Sequence, residues 1–282
     1  MQWFLHILRK YIYHKSLFFK IKQLRKVIAI GGGNIGRDDQ RINTTLFDRE
    51  IIRLTEKKNP KLLFVPTATA GCNRYCEAIY KQFGKKLGCT VDILLLINKD
   101  PISWVIQDKI GRADIIYVGE GNTYQMMKYW RKHCVDKMMK TGLDNGAVLC
   151  GSSAGSIAWF HAGLSDSWKS EKNPEKLIKV NGLNYIDALL CPHYNTEIHR
   201  QPAFKKLLKR TRQIGIALDD LCGIEIIGNE FQILSAGKDA IARKMWWERG
   251  SYKEIVLPKN EFYSLDSILS KYAASHQLPL VI

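Results

Sequence analysis

The stretch AVLCGSSAGSIAWF, residues 147–160, decides the fold of this chain. Four apolar residues at 147–150 predict a short buried strand, and SIAWF at 156–160 predicts a helix. Between them, GSSAG fits the G-x-S-x-G pattern of a nucleophile elbow, in which small residues relieve the crowding of a sharp strand-to-helix turn. We therefore predict that the hydroxyl of Ser153 projects above the carboxyl end of the strand. A serine-rich N-cap of an ordinary helix is the alternative interpretation of the same residues.

Short apolar runs alternate with helical patterns on the N-terminal side of this elbow. Four runs of four to six residues are apolar on both faces, as is typical of strands inside a parallel sheet. These runs are residues 27–30, 62–65, 91–96 and 115–118. Helices are predicted at 44–58, 73–87, 101–110 and 123–141. The alternation predicts a doubly wound α/β fold with a mostly parallel sheet.

Closely spaced strand patterns replace this alternation after about residue 214. They lie at 214–218, 223–227, 231–234 and 240–247. Because they follow one another so closely, we interpret them as antiparallel strands added at one end of the sheet.

The composition is that of a globular protein with reduced thiols. The chain has 282 residues, 46% hydrophobic and 25% charged, which excludes a disordered chain, a collagen-like fibre and a small disulfide scaffold. Seven scattered cysteines, an odd number, indicate free thiols and a cytoplasmic location. Cys72 and Cys76 have no second Cys or His pair at ligand spacing, so we predict no zinc site.

The first 26 residues differ from the rest in charge. They hold seven Lys and Arg and no acid, within a chain whose formal net charge is +16. Their basic residues interrupt every apolar run, which excludes a membrane span and a secretory signal. We divide the chain into a basic aromatic extension at 1–26 and one α/β domain at 27–282. The extension is interpreted as an appendage, and contact with nucleic acid or a membrane surface is the alternative.

The glycine-rich segment GGGNIG, residues 31–36, satisfies G-x-G-x-x-G after a strand. A dinucleotide site also needs an acid at the end of the second strand, but the strand at 62–65 ends in PTAT. The glycines are followed by RDDQ instead of an apolar helix. We therefore favour the interpretation that they let this loop pass close to a site or a neighbouring strand.

A serine nucleophile needs a base, and His193 is the best placed of seven histidines. It lies in CPHY, directly after the apolar run 186–190, and so at a strand end where catalytic groups gather. His161 is assigned to the helix after the elbow, pointing away from Ser153. His199 lies six residues after His193, where a surface position is expected.

Seven sequence pieces together resemble the serine peptidase family of dipeptidase E (aspartyl dipeptidase) and cyanophycinase. They are IGGGN at 30–34, FVPTA at 64–68, VGEGNT at 118–123, GSSAGS at 151–156, SDS at 165–167, CPHY at 191–194 and GIALDD at 215–220. They occur in the family's order and span most of the chain beyond the extension. The resemblance implies a class I glutamine amidotransferase-like α/β fold.

The resemblance also implies roles for the residues of these pieces. Ser153 corresponds to the nucleophile and His193 to the general base. The backbone amides of Gly121 and Ala154 correspond to the oxyanion hole, with Asn122 nearby. No metal or organic cofactor is implied.

The third member of the triad has two candidates. Asp220 falls where the family has an acid, usually Glu, and is preferred; Asp166 matches a second acidic position and is the alternative. Arg200 lies in the region where aspartyl dipeptidases read the acidic side chain of the substrate, although a solvated Arg at a helix start is equally compatible. Glu120 replaces a family glycine, and we expect this carboxylate to bear on substrate preference.

These residues predict a serine peptidase that hydrolyses small peptides, with cleavage after an N-terminal Asp as the family activity. An esterase could use the same elbow, and an amidotransferase would need a cysteine where Ser153 stands. A non-catalytic binding module that uses the basic extension is the non-enzyme alternative. The oligomeric state, including a homodimer, stays open.

Overall fold

The computed structural model describes residues 24–37, 40–173 and 175–271. Of the predicted N-terminal extension, all but its last three residues lie outside these ranges, and so does the suggested contact with nucleic acid or a membrane. In the described part of the chain, no helix is long and apolar enough to cross a membrane.

One sheet has eight strands and carries the elbow. Its parallel strands are β1 (Lys26–Ile30), β2 (Lys61–Val65), β3 (Thr90–Ile93), β4 (Ile115–Val118) and β5 (Val148–Ser152). Its antiparallel strands are β10 (Cys222–Ile227), β11 (Glu230–Ser235) and β14 (Tyr263–Ser264). The order across the sheet is β14-β11-β10-β1-β5-β4-β2-β3. All residues of β4 and β5 are buried, because the sheet is covered on both faces.

The helices divide between these two faces. Their bounds are α1 (Thr45–Arg53), α2 (Asn73–Ile79, continued by a π-helix at Tyr80–Lys86), α3 (Ser103–Arg112), α4 (Thr123–Lys132) and α5 (Val135–Asp144). Ile28 of β1 packs in one hydrophobic cluster with Phe47 of α1. Its neighbour Val27 packs in another cluster with Met126 of α4, because successive residues of a strand point to opposite faces. The predicted doubly wound α/β arrangement is therefore confirmed.

The long helix predicted at 123–141 is two helices, α4 and α5. The chain breaks at Cys134, whose φ of +55° is left-handed and cannot continue a right-handed helix. Cys134 is consequently exposed. Met126, Met127 and Trp130 of α4 are buried.

A second sheet of six strands was not predicted. It contains β6 (Phe160–Ser165), β7 (Ile178–Asn181), β8 (Ile186–Cys191), β9 (Gly215–Leu218), β12 (Ala242–Glu248) and β13 (Ser251–Val256), in the order β13-β12-β9-β8-β6-β7. β8 is parallel to both β6 and β9. The C-terminal strands are thus shared between two sheets, and the prediction that all of them extend one sheet was wrong.

The elbow helix is shorter than expected. This helix, α6 (Ala154–Ile157), has only four residues, and the chain enters β6 at Phe160. His161 therefore lies in a strand, and its assignment to the helix was wrong. A short apolar run such as IAWF satisfies both a buried strand and a buried helix, so its pattern could not decide between them.

One hydrophobic core joins the two sheets. Leu149 of β5 and Leu190 of β8 belong to the same buried cluster. The outer face of the second sheet is covered by α7 (Arg200–Thr211), where Phe204 and Leu208 pack against Leu189. A short helix α8 (Asp266–Leu269) closes the described chain. The carboxyl ends of β5 and β8 meet across this core, and the candidate site lies there.

Candidate active site

Ser153 stands on the predicted elbow, between the last residue of β5 and the first of α6. Its backbone has φ +52° and ψ −108°, a strained conformation for a residue with a side chain. A β-carbon at Gly151 would lie 2.5 Å from the carbonyl carbon of Gly155. One at Gly155 would lie 2.1 Å from the carbonyl oxygen of Val118. Both glycines are therefore required for the turn that presents Ser153.

A buried serine, Ser156, ties this turn to β1. Its Oγ accepts a hydrogen bond from the amide of Ile30 at 2.8 Å and lies 2.7 Å from the carbonyl oxygen of Gly151. The amide of Ser153 donates to the carbonyl of Ile30 at 3.0 Å. Sequence reasoning missed Ser156, although a single hydroxyl in an apolar helical run was a signal for it.

His193 and Asp220 complete a hydrogen-bonded chain with the elbow serine. His193 Nε2 lies 2.7 Å from Ser153 Oγ, and its Nδ1 lies 2.6 Å from Asp220 Oδ1. His193 follows β8, and Asp220 lies on the short connection from β9 to β10. The three side chains thus come from the carboxyl ends of strands in both sheets.

Two side chains that sequence reasoning missed hold Asp220 in place. Thr196 Oγ1 donates to Asp220 Oδ2 at 2.8 Å, and the Asp220 amide donates to Asn195 Oδ1 at 2.8 Å. Burial opposes ionisation of Asp220, but the hydrogen bonds from His193 and Thr196 and the charge of Arg200 outweigh it and hold its pKa below the ordinary value. Asp220 is therefore a carboxylate at neutral pH.

The glycine loop after β1 passes directly behind these residues. A β-carbon at Gly32 would lie 1.9 Å from Asp220 Oδ1 and 2.5 Å from His193 Cε1. One at Gly31 would lie 2.3 Å from the carbonyl oxygen of Asp219. The interpretation that these glycines allow a close approach is confirmed.

Asp166 and Arg200 lie together, away from the hydrogen bonds of His193. Asp166 pairs with Lys169 at 3.1 Å and faces Arg200 at 3.8 Å. The Arg200 side chain is only 2% exposed, with Nε on Glu197 and Nη1 on the carbonyl oxygen of Leu164, both at 2.9 Å. The structure therefore brings Asp220, and not Asp166, to His193. The interpretation of Arg200 as a solvated residue was wrong, and its role in substrate binding stays a prediction.

The predicted oxyanion donors follow neighbouring parallel strands. Val118 of β4 pairs in register with Gly151 of β5, so the segment with Gly121 and the start of α6 at Ala154 lie at adjacent strand ends. Gly121 has φ +126°, and a β-carbon there would lie 2.5 Å from the carbonyl oxygen of Ala68. The amide of Ala154, at the first position of a helix, has no partner within that helix.

Asn122 and Glu120 flank Gly121 and are both engaged. Asn122 caps α4 by accepting from the Gln125 amide at 2.8 Å. The Glu120 carboxylate pairs with Arg37, whose guanidinium lies 4.8 Å from the centre of the Tyr75 ring. The added carboxylate is thus neutralised by its own partner.

The described ranges contain no cluster of side chains that could ligate a metal ion. Among these residues, no group of three or more His, Cys, Asp or Glu side chains could hold a metal ion. What the site does offer is an acid, an imidazole and a hydroxyl in sequence, the arrangement that activates a serine for acyl transfer.

Comparison with known proteins decides the family. The model of peptidase family S51 matches residues 27–234. The chain belongs to this family. As a member of peptidase family S51, it is a peptidase, and the resemblance found in its sequence is confirmed.

Two relatives agree with this assignment to family S51. The chain is 29% identical over 240 residues to "Uncharacterized peptidase YgaJ" of Bacillus subtilis (strain 168), covering 83% of this chain and 98% of the relative. It is 28% identical over 146 residues to "Peptidase E" of Shewanella denitrificans, covering 52% of this chain and 59% of that protein.

Two solved structures share the fold at 19% identity. A peptidase from an acI-B1 Actinobacterium superposes with a TM-score of 0.68, over 88% of this chain and 99% of that one. A putative peptidase E protein from Listeria monocytogenes EGD-e superposes with a TM-score of 0.56, over 75% and 98%. The fold of the S51 chain is therefore the peptidase E-type α/β fold.

Proposed function

We propose that this peptidase is a serine peptidase that hydrolyses small peptides through an acyl-enzyme, with Ser153 as its nucleophile. The observation that carries the proposal is the unbroken chain from Asp220 through His193 to Ser153, with hydrogen-bond lengths of 2.6 and 2.7 Å. These distances lie within the range needed for direct proton transfer between the groups.

The chemistry follows from the order of these groups. His193 Nε2 takes the proton of Ser153 Oγ as that oxygen attacks the scissile carbonyl carbon, and then gives the proton to the leaving amine. Water enters in place of the amine, and His193 takes a proton from it as the water oxygen attacks the ester carbonyl carbon. The bond from that carbon to Ser153 Oγ then breaks, and His193 returns the proton to Ser153 Oγ. The ionised Asp220 holds Nδ1–H of His193 and stabilises the imidazolium that forms in both steps.

The negative charge that develops on the carbonyl oxygen needs donors. We assign these donors to the amides of Gly121 and Ala154, which follow adjacent strands. Fixed backbone amides stabilise an oxyanion without reorganising during the reaction, and losing one such donor costs about 10²- to 10³-fold in kcat.

For the substrate we propose a dipeptide with an N-terminal Asp, the activity that the resemblance in the sequence implies. Arg200 is the proposed reader of the Asp side chain. Glu197 now occupies its guanidinium, so an acidic substrate would have to exchange with the Glu197 carboxylate. A cytoplasmic location also remains part of the proposal.

A dipeptide panel tests the nucleophile and the substrate together. Asp-Leu, Ala-Leu and Lys-Leu are given to the wild type, Ser153→Ala and Ser152→Ala. Ser152 is the matched control, because its buried Oγ has no hydrogen-bond partner in the described part of the chain. We expect cleavage of Asp-Leu by the wild type and the control only. Retained cleavage by Ser153→Ala would contradict the mechanism, and equal cleavage of all three would contradict the Asp preference. Cleavage of simple esters with no peptide cleaved would favour the esterase alternative.

A further inference from the structure

Two exposed aromatic rings lie beside the segment that carries Gly121. Tyr124 is 46% exposed and Trp168 is 47% exposed. Their ring centres are 5.6 Å apart at an interplanar angle of 74°, an edge-to-face contact. Single exposed apolar side chains are common on proteins, but a contacting pair of large rings next to a candidate active site is a feature of ligand sites.

Hydrogen bonds fix this pair relative to the proposed oxyanion segment. Residues 165–169, here called the bridging segment, begin at Ser165, the last residue of β6. Ser167 Oγ accepts from the Tyr124 amide and the Ser167 carbonyl accepts from Asn122 Nδ2, both at 3.0 Å. Ser165 Oγ donates to Thr123 Oγ1 at 3.0 Å. Hydrogen bonds through Ser167 therefore hold Tyr124 and Trp168 close to Asn122, the neighbour of Gly121.

The same segment reaches the loop that carries His193. β6 and β8 are parallel neighbours, so the bridging segment and His193 leave the sheet at the same edge. Lys169 Nζ lies 3.2 Å from Glu197 Oε2, which joins the two loops. The bridging segment thus spans the distance between the proposed oxyanion donors and the proposed base, where a peptide would have to lie.

The charged groups of this region are paired with one another. Lys169 lies between Asp166 and Glu197, and the buried Arg200 also binds Glu197. Lys176 Nζ lies 5.0 Å from the centre of the Trp168 ring and leaves about half of that side chain exposed. The surface next to the scissile bond therefore consists of exposed aromatic rings and of charged side chains that neutralise one another.

We propose that Tyr124 and Trp168 form a subsite that binds an apolar side chain, such as Leu or Phe, on the residue that follows the scissile bond of the peptide. This inference rests on the proposed function, because it needs a peptide lying between the Gly121 segment and His193. Apolar contact of this kind discriminates between side chains by about tenfold or more.

Competing substrates test the subsite. We compare kcat/KM for Asp-Leu against Asp-Ser, which keep the N-terminal Asp and differ only in the side chain after the scissile bond. The variants are Trp168→Ala, Tyr124→Ala and the conservative Trp168→Phe. The control is Trp104→Ala, because Trp104 is 66% exposed on α3, a helix that contributes no residue to the candidate site.

The expected result is a Leu-over-Ser ratio that falls about tenfold in the two Ala variants, through KM. Trp168→Phe should keep most of the ratio, and Trp104→Ala should not change it. An unchanged ratio in Trp168→Ala, or an equal fall for Leu and Ser peptides, would overturn the subsite.

A binding measurement separates this outcome from failure of the proposed function. Calorimetry with full-length Ser153→Ala compares the affinity for the Leu and Ser peptides without hydrolysis, alone and combined with Trp168→Ala. A preference for Leu that disappears with Trp168→Ala supports the subsite even if Ser153 is not the nucleophile. Equal affinities, or no binding of either peptide, contradict the subsite even if Ser153→Ala abolishes hydrolysis.

Discussion

The two sheets contribute to the candidate site in different ways. The eight-stranded sheet presents Ser153 through packed backbone, where added β-carbons at Gly151 and Gly155 would meet main-chain atoms at 2.5 and 2.1 Å. The six-stranded sheet presents His193, and the crossing between the sheets presents Asp220, which is held by the exposed residues Asn195 and Thr196. Steric fit thus places the nucleophile, whereas hydrogen bonds near solvent place the acid and base.

The difference predicts which changes the enzyme tolerates. Packed backbone has one arrangement. Activity should therefore fall when a substitution near Ser153 adds side-chain volume. Hydrogen-bonded side chains can be exchanged for others that keep the bond. Substitutions around His193 and Asp220 should therefore act by changing polarity, and their effects should depend on pH.

The largest effect is expected from Asp220→Asn, with Asp166→Asn as its matched control. An amide at 220 cannot hold the Nδ1–H tautomer of His193 or stabilise its imidazolium, and an equivalent loss lowers kcat by about 10⁴-fold. Asp166 has no hydrogen bond to His193, so its replacement should leave most of kcat intact. Steady-state kinetics on both variants checks this, and a greater loss for Asp166→Asn would make that residue the acid.

A smaller loss of activity is expected from Gly32→Ala, in the loop that passes close to Asp220 and His193. The new β-carbon would lie 1.9 Å from Asp220 Oδ1 and must displace the acid or the imidazole. A displacement of about 1 Å costs on the order of 10²-fold in kcat.

Gly111→Ala on α3 is the control, because its added β-carbon would have no atom within 4 Å. It should keep full activity and gain roughly 0.5–1 kcal/mol in free energy of unfolding from the better helix propensity of Ala. Undiminished activity of Gly32→Ala would show that the two sheets do not meet as described.

The smallest effect is expected from Thr196→Val, which removes a hydrogen bond and keeps the side-chain shape. The free energy of unfolding should fall by about 1 kcal/mol at neutral pH, and kcat by less than tenfold. Because the bond lowers the pKa of Asp220, its contribution to stability is present above the ordinary carboxyl pKa and is lost as the pH falls through the lowered one.

Denaturant unfolding from neutral to acid pH measures that dependence. The difference between Thr196→Val and the wild type should shrink toward zero in acid, and Thr196→Ser should restore the wild-type value. A difference that persists at every pH would mean that Thr196 acts by packing alone.

The same contrast explains how much could be predicted from the sequence. The elbow was predictable because Gly151, Ser153 and Gly155 form a local pattern, and the strands of the first sheet because they are apolar on both faces. His193 was predictable from its place after a strand, and Asp220 from the family resemblance.

Features that depend on tertiary placement could not be predicted. Residues 160–165 form a strand because β8 lies beside them, although their letters also suit a helix. The sequence around the break at Cys134 contains no Gly, Pro or Asn that would have predicted a helix end there. Thr196 contacts Asp220 across 24 residues of chain, and no local spacing carries that information.

Covalent labelling identifies the nucleophilic serine and shows whether His193 activates it. The intact protein and His193→Asn, chosen because Asn tolerates the positive φ of +53° at this position, are treated with a fluorophosphonate and mapped by peptide mass spectrometry. We expect a single adduct on Ser153 in the wild type and its loss in His193→Asn. An adduct on another serine, or equal labelling of Ser153 in both proteins, would contradict it.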